Sequence, residues 1–391
     1  MYSATHVPSR TKLHDTNEKD RICGLDTLRA LAIVLVLCNH YAVVVTQEDT
    51  FGFLTHWGWA GVDLFFVLSG YLIGSQILRP LSRGEPFVLR TFMARRLLRT
   101  LPNYYVILAL YFLLPGELGG KATASGWQFL TFTQNFSFIR WGQTFSHSWS
   151  LCIEEQFYLA LPIAVLIVAQ LRRPLRAAWV LIIGAILAGM AIRAWYWLHL
   201  EPAADGAAFY YSSLTRLDEL LPGVLIALLQ HFHPARFDRI IRHPGILMVA
   251  GPLSVLLALL WLGDQIPDAM PAAVLGYPMI ATGFAMLVLS CLNPASWLNL
   301  IRLPGATRLA AWSYAVYLAH KPIFTLMLGP VQAAGILPRS VPGIVIIMAA
   351  GIGGGWILFR LVETPFMRLR SHWFPASSRR IEGRVSAFGR I

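Results

Sequence analysis

The chain has 391 residues, 56% of them hydrophobic and 13% charged, and its 32 Lys and Arg against 20 Asp and Glu give a formal net charge of +12. A soluble domain carries roughly a quarter charged residues, so the composition excludes a soluble enzyme domain and predicts an all-α, polytopic helical bundle in the inner or plasma membrane. The basic excess is spread through short loops between apolar runs, a pattern of membrane topology, and no nucleic-acid partner is expected.

In chain order, residues 1–23 are polar and read as a cytoplasmic tail. The apolar run that follows is too long for a short signal core, so no cleavable signal peptide is expected. Windows of about 20 apolar residues pick out ten spans, starting near Gly24, Gly58, Leu97, Trp149, Ala177, Ser212, Gly245, Pro271, Arg308 and Val341. Residues 24–362 thus form one membrane domain, and residues 363–391 read as a basic cytoplasmic tail at the membrane surface or without fixed structure. Within that tail, Ile381-Glu382-Gly383-Arg384 matches a protease site used in tags, a coincidence of sequence.

With the N-terminal tail in the cytoplasm, 25 of the 32 Lys and Arg fall on the cytoplasmic side. Lys121, Arg140 and Arg339 fall on the other side, where the loops carry Glu48, Asp49, Glu117, Glu201, Asp205, Asp264 and Asp268. This asymmetry predicts N-in, C-in topology. The outward segment from Pro115 to Ser148 is rich in Trp and Phe and fits the interface or a shallow dip into the bilayer. Cys23, Cys38, Cys152 and Cys291 lie singly, without the paired spacing of a zinc or redox site.

Ionised groups inside the spans mark the site. Asp63, Glu154, Glu155, Arg216, Asp218, Glu219 and Lys321 would each cost about 2.5–3.5 kcal/mol facing lipid, together roughly 20 kcal/mol, above the usual total stability of 5–15 kcal/mol. They must face a polar interior. In the first span, Arg29 and His40 are 11 residues apart, three turns plus roughly 20°, so they share a face about 16 Å apart along the axis. Counted from the helix ends, His40, Asp63, Glu154 and Glu219 fall in one layer toward the outer side, with His320 slightly deeper. Arg29, Arg95, Arg96 and Arg99 gather at the cytoplasmic boundary.

A cationic entrance beneath a His/carboxylate layer suits coenzyme A, whose phosphate-rich head could sit on the arginines while its arm reaches the imidazole. His40 would then serve as general base, with Glu154 or Asp63 orienting its other ring nitrogen. This chemistry needs no metal, redox group or permanently bound cofactor. Glu155 points about 100° from Glu154. Ser69 and Gly70 read as a close-packing pair, and Arg216, Asp218 and Glu219 as a structural ion network.

GLDTLRALAIVLVLCNHY (Gly24–Tyr41), GVDLFFVLSGYLI (Gly61–Ile73), RRLLRTLP (Arg95–Pro102), HSWSLCIEEQFYLALP (His147–Pro162), RLDELLPG (Arg216–Gly223), SYAVYLAH (Ser313–His320) and VETPF (Val362–Phe366) run in this order along the chain. Together they resemble the acyltransferase-3 family of integral membrane O-acyltransferases. The resemblance implies transfer of an acyl group, commonly acetyl, from cytoplasmic acyl-CoA to hydroxyls of surface polysaccharides, oligosaccharides or glycosylated metabolites. It also implies that Arg29 and His40 form the family's arginine–histidine element, that Arg96 and Arg99 form its basic element before proline, and that Glu154 is its glutamate. His147, Trp149 and His320 are the expected acceptor contacts. The rival readings are a proton-coupled transporter using the same buried charges, and an acyltransferase with a lipid or macrolide acceptor.

Overall fold

The structure, a computed structural model, describes residues 22–118, 124–137, 144–199, 209–263, 265, 269–301 and 303–375. Lys121, Arg140, Glu201, Asp205, Asp264, Asp268, nearly all of the N-terminal tail and the protease-like 381–384 lie outside the described residues. Those described are helical, with no strand among them.

The long helices, numbered in chain order, are α1 (Cys23–Tyr41), α2 (Gly61–Ser82), α3 (Leu89–Leu113), α4 (Trp149–Ala169), α5 (Pro174–His199), α6 (Leu221–Phe232), α7 (Pro244–Leu262), α8 (Met270–Cys291), α9 (Ala306–Ala333), α10 (Val341–Leu358) and α11 (Thr364–Trp373). Among the described residues, seven helical stretches are long and apolar enough to cross a membrane: those built on α1, α2, α4, α5, α7, α8, and α10 with α11. The other three segments expected to span depart for local reasons. α3 starts at Leu89 rather than near Leu97, so Arg90, Arg95, Arg96 and Arg99 all ride on it. α9 buries Ser313, His320 and other polar groups among its apolar residues.

The segment expected from Ser212 is broken. Ser213–Arg216 is a single α-turn, Leu217–Leu220 tightens to a 3-10 turn, and α6 follows with Pro222 in its first turn. At 12 residues, α6 is about 18 Å long. The described part of the basic segment after Glu363 is helical: a π-helical turn at Phe359–Glu363 leads straight into α11, which packs on α3.

α1 and α2 occupy the centre. Ala32, Ile33, Leu64, Phe66 and Val67 are wholly buried, whereas α5 presents Val180, Leu181 and Leu187 outward, as a lipid-facing helix should. α1 packs on α2 and α9, α2 on α6, α7 on α8, and α9 on α10. Small residues allow these approaches. A Cβ added at Gly70 would stand 1.9 Å from the carbonyl oxygen of Leu220, and one at Gly223 2.1 Å from that of Val67. The close-packing role expected of Gly70 is therefore met at the α2–α6 crossing.

Directly after His40, the last turn of α1 widens into a π-helical stretch, Ala42–Thr46, and stops at Gln47 with φ 53°. Such widened turns commonly mark functional positions. The chain then folds back over the end of the bundle before entering α2.

Candidate active site

At the face where α1 ends, a cavity of about 820 Å³ is lined by His40, His147, Trp149, Tyr211 and Lys321, with the 49–57 loop at its rim. Nδ1 of His40 lies 2.7 Å from Nε2 of His320, and the two rings meet edge to edge, their planes within 9° and their centroids 5.0 Å apart. His147 meets both edge-on. The Lys321 ammonium donates to the Ser146 hydroxyl at 2.7 Å. Tyr317 donates to the His147 carbonyl at 2.7 Å, fixing the turn that begins α4 against α9. At the rim, slight desolvation of Asp49 is outweighed by hydrogen bonds from His56 and Thr55, which hold its carboxyl below the usual range.

His40 and His320 thus meet, as one shared layer allows, but the carboxylates expected to orient His40 do not reach it. Asp63 is wholly buried and paired with Arg216, its Oδ1 2.8 Å from Nη2. Glu154 accepts from the Ser69 hydroxyl at 2.8 Å. No carboxylate oxygen among the described residues forms a hydrogen bond or ion pair with His40. Equal depth did not translate into contact because the carboxylates turn toward other helices: Asp63 toward the broken segment before α6, Glu154 toward α2.

Arg216 is the hub of the ion network expected around it. Its Nε lies 2.5 Å from Glu219, and its guanidinium is sandwiched between the rings of Tyr210 and Tyr277, 4.4 and 4.3 Å away. Arg193 grips Asp218 through both terminal nitrogens, at 2.9 and 2.8 Å. Trp149 is buried over Arg216, 5.4 Å from ring centre to guanidinium carbon, so it forms the floor between network and cavity as well as cavity wall.

The arginine cluster assembles at the opposite face. Arg29 is in electrostatic range of Arg96, Arg99, Asp26 and Tyr158, and Arg96 lies 3.8 Å over the Tyr158 ring. Glu363 faces Arg99 and Arg29 and accepts from the Asn103 amide at 2.9 Å. Arg370 of α11 adds a further cation near Arg95, Arg96 and Arg99. Sequence reasoning missed Tyr158, Glu363, Asn103 and Arg370 as parts of this cluster. A signal for Tyr158 existed: it follows Glu154 by four residues and so shares its helix face.

The two polar clusters sit at opposite ends of α1. Guanidinium groups able to hold an anionic carrier gather where α1 begins, and imidazoles able to move a proton gather beside a cavity where α1 ends.

The family model described as "Acyltransferase domain" matches residues 23–360. The chain is 29% identical to the peptidoglycan O-acetyltransferase OatA of Listeria monocytogenes over 94% of its own length and 57% of that protein's. It is 28% identical to the putative peptidoglycan O-acetyltransferase YrhL of Bacillus subtilis, over 82% and 51%, and 27% identical to the O-acetyltransferase OatA of Staphylococcus aureus, over 88% and 57%. The chain therefore spans about half the length of these curated relatives. No solved structure matches it.

Proposed function

The chain belongs to the acyltransferase domain family, and from that premise we propose that it is a membrane O-acetyltransferase that moves an acetyl group from cytoplasmic acetyl-CoA to a hydroxyl of a carbohydrate, of the peptidoglycan kind named for its relatives. The bundle then lies N-in and C-in, with ten crossings once α3, the broken segment ending in α6, and α9 are counted. The face bearing Arg29, Arg96 and Arg99 looks into the cytoplasm, and the 820 Å³ cavity looks outward.

The observation that carries this reading is the placement of Arg29 and His40 on the unbroken helix α1, about 16 Å apart along its axis, each at the centre of its own polar cluster. Arg29, Arg96 and Arg99 hold the phosphates of the donor as charge-assisted hydrogen bonds permit. The arm passes beside Glu154 and Ser69. In the cavity the acceptor hydroxyl gives its proton to His40 and its oxygen attacks the thioester carbon. Trp149 and Tyr211 offer the flat apolar walls on which a sugar ring packs, and His147 a polar contact.

Membranes carrying wild-type protein or His40→Ala, supplied with labelled acetyl-CoA and soluble glycan strands, test the reading. The expected result is acetylated glycan, heavier by one acetyl unit, with wild type and none above background with the variant. Transfer at the wild-type rate by His40→Ala refutes it, as does proton-coupled flux of a solute through liposomes with no acetyl transfer.

A further inference from the structure

The ring-to-ring contact of His40 and His320 fixes where each proton sits. Nδ1 of His320 lies 3.0 Å from the carbonyl oxygen of Val316, one turn back in α9. A carbonyl oxygen only accepts, so Nδ1 carries the hydrogen, and in a neutral ring Nε2 then carries the lone pair. That Nε2 is the atom 2.7 Å from Nδ1 of His40. Two N–H groups cannot face each other at this distance, so Nδ1–H of His40 donates and its Nε2 is left with a lone pair.

The alternative, a doubly protonated His320, would place an imidazolium beside the Lys321 ammonium in a side-chain position with no solvent exposure, which is costly without a counter-charge. His147 does not compete for the shared nitrogen, because its own Nε2 is directed at the Leu318 carbonyl, 3.1 Å away. Two buried carbonyls of α9, those of Val316 and Leu318, thus hold two rings in opposite tautomers.

This order matters because an imidazole without partners in water favours the tautomer with hydrogen on Nε2, the nitrogen farther from the backbone. Left to itself, His40 would present an N–H where the reaction needs a lone pair. We propose that His320, anchored by the Val316 carbonyl, is a positioning residue that holds His40 in the Nδ1–H tautomer, so that Nε2 is the atom that takes the acceptor proton. The proposal rests on the acetyl-transfer reading of His40. As the acceptor O–H bond breaks, its proton passes to Nε2 while the oxygen forms a bond to the acetyl carbon and the C–S bond breaks. Nδ1–H of the resulting imidazolium stays on His320, and the Nε2 proton returns to the departing thiolate.

The test uses full-length protein in proteoliposomes with 15N-labelled histidine, His40 being assigned by the signal lost in His40→Gln. Solid-state NMR of the wild type is expected to show a protonated Nδ1 and an unprotonated Nε2 for His40. His320→Leu removes the acceptor, so the His40 signal is expected to move toward the Nε2–H form and kcat to fall about a hundredfold, the low end of what general-base loss costs. His320→Gln restores the pattern, since its carbonyl can accept from His40 while its amide donates to Val316, and is expected to recover both the signal and most of kcat. A wild-type His40 bearing hydrogen on Nε2 overturns the assignment even where His40→Ala abolishes transfer. Wild-type kcat in a folded His320→Leu overturns the positioning role. Undiminished transfer by His40→Ala overturns the reading beneath it, while the NMR result still reports the tautomer by itself.

Discussion

Removing the cation at the hub of the buried network should destabilise the bundle more than removing it together with the two carboxylates it pairs. Arg216 and Asp63 side chains are entirely buried and 2.8 Å apart, and Glu219, equally buried, lies 2.5 Å from Nε of the same guanidinium. Arg216→Met keeps the apolar stem between Tyr210 and Tyr277 but leaves two carboxylates in a dry site without their counter-charge. Breaking a buried pair this way costs about 3–5 kcal/mol, which at about 2 °C per kcal/mol lowers the melting temperature by about 6–10 °C. The triple variant Arg216→Met, Asp63→Asn, Glu219→Gln carries no charge at the site, and should recover at least half of that loss. Tryptophan fluorescence during heating in detergent micelles reads both values, since Trp149 packs directly on the site. A triple variant that melts lower than Arg216→Met alone would refute the claim that uncompensated charge, rather than lost contact, is what the arginine prevents.

Two further outcomes follow from other parts of the molecule. Arg29→Gln should raise KM for acetyl-CoA about tenfold with little change in kcat, because one charge-assisted hydrogen bond to a phosphate is worth about 1.5 kcal/mol and the donor head lies far from the reacting atoms; steady-state transfer in proteoliposomes separates the two constants. Gly70→Ala forces a methyl group to within 1.9 Å of the Leu220 backbone oxygen, so the α2–α6 crossing must open at about 1–3 kcal/mol, whereas Gly184→Ala, with nothing within 4 Å, should leave the melting temperature unchanged or raise it.

Much of the bundle could be read from the sequence because each long helix carries its own signal. A run of apolar residues is a local property, and the starts expected near Gly24, Trp149, Pro271 and Val341 lie within one residue of the helices Cys23–Tyr41, Trp149–Ala169, Met270–Cys291 and Val341–Leu358. Where tertiary contacts outweigh local pattern, reading failed. The broken segment from Ser213 to Phe232 places Arg216 between two carboxylates and two tyrosines, and although Asp63 alone reads as a possible partner of an arginine, the sequence does not say which arginine or bring Tyr277 beside it. Likewise the basic run after Glu363 reads from sequence as membrane-surface or unstructured, because its arginines carry no local signal for what holds Thr364–Trp373: the Asn103 bond to Glu363 and the Arg95 contact to the Phe374 carbonyl.

The site divides along the same line. Arg29 and His40 share a helix, so their relation was computable from rise and twist alone, and the depth count brought His320 to the same layer. Depth fixes one coordinate of three. Asp63 and Glu154 stand at the right height but face away, and the azimuth of a side chain depends on which neighbour its helix meets. α4 repeats the geometry of α1 independently: Trp149 lines the cavity and Tyr158, nine residues on, underlies Arg96, a rise of about 14 Å. Two helices therefore each reach from the arginine cluster to the histidines over nearly the same length, with Glu154 and Ser69 between them. On the acetyl-transfer reading proposed above, a donor anchored on the guanidinium groups and reacting at His40 would pass the level of Glu154, whose carboxylate accepts from Ser69 and does not touch the imidazole.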